Sequence, residues 1–150
     1  MAAEPAPSAG YEIFDHTADV GVRAWGADPA EAFARAARGM LSVILGEDPA
    51  VWRAAGSAGD VTVAVAGAGW DDLLVNWLAE LLFYVDVEAF VPRGFRFERC
   101  APPRCVATLT GLRLHHPEQA AGVAVKAVTY HQLRVDVAPG RTEIEVILDI

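Results

Sequence analysis

Two short runs in this chain hold the residue types that could do chemistry together: Asp15-His16-Thr17-Ala18-Asp19 near the front, and Asp149-Ile150 at the far end. Both lie beside alternating, strand-like sequence. If the two strands meet, a carboxylate of the pentad, that of Asp149 and the chain's last main-chain oxygens, read as a terminal carboxylate, converge as hard oxygen donors. Such a set suits a hard divalent cation and not zinc or copper. Two carboxylates about 4 Å apart repel by about 4 kcal/mol at an effective dielectric near 20, so a cation or a proton must accompany them. The plainer reading of the pentad is a hairpin turn held by Asp and Thr side chains bonded to nearby backbone N–H groups. His16 has the chemistry of a ligand, of a group orienting a carboxylate, or of a structural residue.

A second distinctive run is Val125-Lys126-Ala127-Val128-Thr129-Tyr130-His131. Alternation puts Val125, Ala127, Thr129 and His131 on one face, which makes His131 a hydrogen-bonded core residue. Lys126 falls on the wetter face, as a solvated strand lysine, a partner contact or a counter-charge beside the acids. It is the chain's single lysine beside eleven arginines. Arg and Lys are not interchangeable where a compact ammonium is needed, although coding bias explains the ratio equally well. His115-His116 is a poor metal pair, because neighbours on an extended chain point opposite ways. Dinucleotide loops, phosphate loops and nucleophile elbows are missing from the sequence.

The elements that must position these residues follow from periodicity. Tyr11–Asp15 and Val20–Trp25 alternate as strands. Asp28-Pro29-Ala30-Glu31 opens a helix, with Asp28 as cap and Pro29 in the first turn. Ala32, Phe33, Ala36, Ala37, Met40, Leu41 and Ile44 carry it to a stop at Gly46. Glu47–Gly59 is read as a loop and Val61–Val65 as a strand. A second helix spans about Asp71 to Val85, with a wide Leu and Trp face. Gly94–Cys100 and Cys105–Leu114 form a strand pair turning at Pro102-Pro103, with two free thiols as neighbours. His115–Gly122 is a loop. One long strand runs Val123–Val137, and a turn at Pro139-Gly140 leads to a last strand, Thr142–Ile150. The expected class is α+β, a single domain with one mainly antiparallel sheet and two helices packed on one face.

The chain has 150 residues, a 53% hydrophobic fraction and a formal net charge of −8. That suffices for one substantial core. Residues 1–10, rich in Ala and Pro, read as a disordered tail ahead of a domain spanning 11–150. No apolar run is long enough to span a bilayer and no secretion signal is present, so a cytoplasmic location is expected. The arginines are scattered along the sequence without a basic cluster, so an acidic chain of this kind is expected to touch a protein and not nucleic acid directly.

Several runs together resemble the archease family. They are Asp15-His16-Thr17-Ala18-Asp19-Val20, Ala24-Trp25-Gly26, Glu31-Ala32-Phe33 with Ala36-Ala37 and Met40, Leu73 to Leu82, Val125 to His131, and Ile147-Leu148-Asp149-Ile150. The resemblance covers about Tyr11 to Ile150 in the family's order. It implies a protein cofactor of the GTP-dependent RNA-splicing ligase of tRNA splicing. Such a cofactor promotes guanylylation of the ligase's histidine and repeated turnover, without joining RNA itself and touching tRNA only through the ligase. It also implies a metal site formed by Asp19, Asp149 and Ile150, with calcium as the ion and magnesium or manganese as substitutes. Asp15 and His16 would lie close by, and Lys126 would be the family's late-strand lysine. The chain departs from the family pattern at Leu112 and Ala124, where acidic residues are usual. Two other functional classes compete: a chaperone-like adaptor without metal, and a small metal-dependent hydrolase, which would need more ligands than these.

Overall fold

The computed structural model describes residues 8–16, 19–120 and 122–150, His16 by its backbone. Eight strands and two helices run in the order β1 (Gly10–His16), β2 (Asp19–Gly26), α1 (Pro29–Leu45), β3 (Gly56–Ala66), α2 (Trp70–Glu88), β4 (Phe90–Ala101), β5 (Arg104–Leu114), β6 (Ala127–Val128), β7 (Arg134–Ala138) and β8 (Arg141–Asp149). The α+β class holds. The strands are antiparallel but divide between two sheets where the sequence suggested one. The first has the order β1-β2-β8-β6, with β7 also paired to β8. The second has the order β3-β5-β4.

Each helix packs on one sheet and touches the other. Helix α1 lies on β2 and also meets β4, while α2 lies on β3 and β4 and reaches β6 and β7. Helix α1 starts and stops where its sequence dictates. The Asp28 carboxylate accepts the Glu31 N–H at 2.8 Å, Pro29 follows, and Gly46 closes the helix at φ 83°, a left-handed backbone that glycine adopts without strain. Asp28→Ala removes a cap whose loss costs about 1 kcal/mol, so thermal denaturation should show a Tm lowered by a few degrees with an unchanged transition shape.

The core is one cluster. Trp77 of α2 is completely buried, packs edge-on against Phe95 and at a tilt against Phe97 of β4, and donates its indole N–H to the Phe33 carbonyl of α1 at 3.0 Å. One side chain therefore ties both helices and the smaller sheet. Cys100 and Cys105 stand opposite each other on β4 and β5 as free thiols, as expected. The hydrogen bond to Cys105, with burial added, pushes the Cys100 thiol up, away from the reactive thiolate.

Three readings are corrected. The Val123–Val137 run is not one strand. It is β6, then a turn with Gln132 at φ 51°, then β7, and both strands pair with the same side of β8. His131 stands in that turn and is exposed, so it is not a core residue. Strand β3 begins at Gly56, inside the expected Glu47–Gly59 loop. The tail assigned to residues 1–10 lies outside the described residues up to Pro7, and β1 has begun by Gly10.

The loop after α1 is pinned by Asp48. Its carboxylate accepts the Tyr11 hydroxyl at 2.6 Å, an Arg38 N–H at 2.9 Å and the Ala50 N–H at 2.8 Å. Partial burial alone would raise its pKa, but the hydrogen bonds from Tyr11 and Arg38 outweigh burial and hold it below the ordinary value of 3.8. A carboxyl depressed in the folded state contributes stability above its unfolded pKa and loses it as pH falls through the folded one. The stability difference between the native chain and Asp48→Asn should therefore be constant near neutrality and shrink below about pH 4, as read by urea denaturation at several pH values.

Candidate functional site

The sequence-designated residues gather at one end of the five-stranded sheet. In the β1–β2 hairpin Asp15 pairs with Val20 and His16 with Asp19. Thr17 and Ala18 lie outside the described residues. Across β2 and β8, Val20 pairs with Leu148, so the next residue outward on each strand is Asp19 on one and Asp149 on the other. Residues opposite each other on antiparallel strands have Cα atoms about 4.5–5.5 Å apart. On the far side of β8, Ala127 pairs with Asp149, and the Lys126 N–H donates to the Asp149 carbonyl at 2.7 Å. His16 thus pairs with Asp19 and Ala127 with Asp149, while Asp19 and Asp149 each extend one residue beyond the outermost β2–β8 pair, with Ile150 one step further.

Alternation fixes the faces. Val22, Ala24, Ile144, Val146 and Leu148 point to α1 and are buried. Asp19, Arg23, Glu145 and Asp149 occupy the other face. Asp15 pairs with Val20 and falls on the α1 side, so the structure brings Asp19 and Asp149 to the same face and sets Asp15 on the opposite one. Lys126 is exposed and meets Asp149 through its backbone. Among the described residues its ammonium forms no ion pair.

The outer face differs sharply along its length. Towards the Trp25 end it is a ladder of ion pairs. Arg23 bridges Glu12 at 3.0 Å and Glu145 at 3.4 Å. Arg134 contacts Asp136, Glu143 and Glu145, and Arg141 contacts Glu143 at 2.8 Å. In the middle, the Phe14 ring lies over Gly21, where a Cβ would collide with it, and Arg23 stacks on that ring at 4.1 Å. Ile147, opposite Gly21, is fully buried although it sits on the outer face. Beyond this apolar bar stand Asp19 and Asp149, and among the described residues neither carboxylate has a cationic partner. The chain balances its carboxylates everywhere on this face except at that end.

Among the described residues no group of three or more His, Cys, Asp or Glu side chains comes together to hold a metal. The set named from the sequence has two such side chains, with main-chain oxygens as further donors. Its chemistry is all hard oxygen, which fits calcium, magnesium or manganese and not a thiolate- or imidazole-seeking ion. Of the departures from the family pattern, Leu112 sits on β5 in the other sheet, whereas Ala124 stands two residues from Lys126. Sequence reading missed one contact near this end. The Tyr130 hydroxyl, just after β6, donates to Asp72 in the first turn of α2 at 2.8 Å, and that bond pushes the phenol pKa up. The start of the second helix near Asp71 was visible in the sequence, but the partner of Asp72 is 58 residues away.

Comparison with known proteins agrees with this arrangement. The model of the Archease protein family matches residues 11–150. Protein archease of Methanosarcina mazei is 31% identical over 150 residues, covering 96% of this chain and 99% of its own. Protein archease of Methanothermobacter thermautotrophicus is 32% identical over 144 residues, covering 94% and 99%. The solution structure of a Methanobacterium thermoautotrophicum protein superposes with TM-score 0.69 at 31% identity, over 94% of this chain and 99% of that one. A crystal structure of a Thermotoga maritima archease, described as a possible chaperone, shares the fold with TM-score 0.61 at 16% identity over 100% of both chains. A match along nearly the whole chain, in sequence and in fold, shows that this chain belongs to the archease family.

Proposed function

We propose that this chain is a protein activator of a GTP-dependent RNA-splicing ligase, and that Asp19, Asp149 and the main-chain oxygens of Ile150 hold the divalent ion it needs, calcium by preference. The observation that carries the reading is the pair of carboxylates on one face of adjacent strands β2 and β8, unbalanced on a face whose other acids are paired. A hard divalent ion bound there would supply the missing positive charge and a Lewis-acidic contact for oxygen groups of a partner. The chain's own residues do the positioning. Pairing of β2 with β8 as far as Val20 and Leu148 supports a close approach of the two carboxylates, the Lys126 N–H holds the Asp149 main chain, and Phe14 lies over Gly21 beside them. The net charge of −8 supports a protein partner, with RNA reached through it. No helix among the described residues is long and apolar enough to cross a membrane, and the reading includes work in the cytoplasm.

The test is multiple-turnover sealing of a broken tRNA bearing a 2′,3′-cyclic phosphate by the cognate ligase, with and without this protein. Faster guanylylation of the ligase and repeated turnover are expected, and an unchanged rate sinks the proposal. Stimulation that survives full chelation of divalent ions from the activator would favour the chaperone-like reading, the role ascribed to the Thermotoga maritima archease.

A further inference from the structure

The arginines that look scattered in the sequence are not scattered in the fold. Arg35 and Arg38 of α1 face Arg93 and Arg96 of β4 across an open groove of about 540 Å³. On the helix the two are one turn apart and share a face. Four of the eleven arginines of an acidic chain therefore line one trough. Two carboxylates line it as well, Asp28 and Glu31, but Asp28 is engaged in capping α1.

The four guanidinium groups are not equally engaged. Arg38 is anchored to Asp48 at 2.9 Å, and its buried Nε–H has no partner among the described residues. Arg93 donates to the Pro49 carbonyl at 3.3 Å, a neutral acceptor that leaves its charge uncompensated. Arg35 and Arg96 have no ion-pair partner among the described residues. A held pair and a free pair of cations form a receptor for a multiply charged anion with planar oxygen faces. The groove also exposes parts of Phe95 and Phe97, both half-buried. Guanidinium groups interleaved with aromatic rings match phosphates linked to flat bases.

We propose that the α1–β4 groove binds the phosphates of a nucleotide unit, free or within a single strand, with the base against the Phe95–Phe97 wall. It lies on the α1 side of the five-stranded sheet, opposite the face of Asp19 and Asp149, and does not depend on the ligase reading. The purified chain is titrated at low salt with a fluorescein-labelled single-stranded RNA of about ten nucleotides, read by anisotropy, and with GTP, read by calorimetry. Binding of one or both is expected, and competition of GTP against the RNA tells the two sources apart. The double variant Arg35→Glu, Arg96→Glu alters two side chains without ion pairs and should keep the native Tm. It should weaken binding by more than ~10-fold and reduce the salt slope by about 2. Arg23→Glu, on the opposite face, serves as the control and should bind normally. Absence of binding to both ligands, or binding that survives the double variant, overturns the proposal.

Discussion

Asp149→Asn should leave the fold intact and remove the stimulation of RNA ligation. The substitution keeps the shape of the side chain and deletes one of two carboxylates that stand on neighbouring strands without a cation. Without metal, losing a like-charge repulsion does not destabilise, so the Tm of the variant should equal or slightly exceed that of the native chain. With metal the two should diverge. A ligand at a hundredfold excess over its Kd stabilises by about 2.7 kcal/mol, or ~5–10 °C in Tm for a chain of this size. Calcium should raise the native Tm by that amount and leave Asp149→Asn, and equally Asp19→Asn, unmoved. Asp15→Asn should retain most of the response, because Asp15 lies on the α1 side. A native protein with no response to calcium, magnesium or manganese, or an Asp149→Asn variant with full stimulation, would defeat the proposed metal role.

The largest effect on stability should come from Trp77→Ala. The ring is fully buried, meets Phe95 and Phe97 at centroid distances of 5.9 and 5.0 Å, and gives its N–H to Phe33. Truncation of a buried aromatic costs about 3–5 kcal/mol, a large share of a total stability of about 5–15 kcal/mol. It also leaves the Phe33 carbonyl without that donor. A Tm lower by ~10 °C or more is expected in calorimetry, with calcium still raising the Tm of whatever folds. Trp77→Phe restores volume but not the donor and should fall between. A loss under about 1 kcal/mol for Trp77→Ala would mean that this ring is not the keystone its contacts imply.

Helix α1 was legible to the residue because its signals are local. A capping carboxylate, a proline and a closing glycine each act within one turn. That Asp19 and Asp149 stand at the ends of strands was legible for a different reason: both flank alternating sequence, and their joint role came from family resemblance, which spacing could not supply. The failures share one physical cause. Alternation in Val123–Val137 cannot reveal that two short strands take turns along one neighbour, since the break at Tyr130 to Leu133 is set by pairing with β8 and by the Tyr130–Asp72 bond. His131 was misplaced with it. The division into two sheets depends on which edges close, which no single strand encodes. Nor does sequence spacing show that Arg35 and Arg38 face Arg93 and Arg96, because the helix and strand that align them are separated by β3 and α2.

Strand β8 joins β2 across a sequence separation of 122 residues, as the Arg23–Glu145 pair marks. Contacts this distant form late in folding, because the chain must close the whole intervening loop before they repay its entropy. The two acids therefore become neighbours when almost everything between them has already packed. A partner that needs both at once discriminates by conformation as well as by charge. Under the proposed reading it would overlook nascent or partly unfolded copies and engage folded molecules, so bringing the two strand ends together would act as a conformational check.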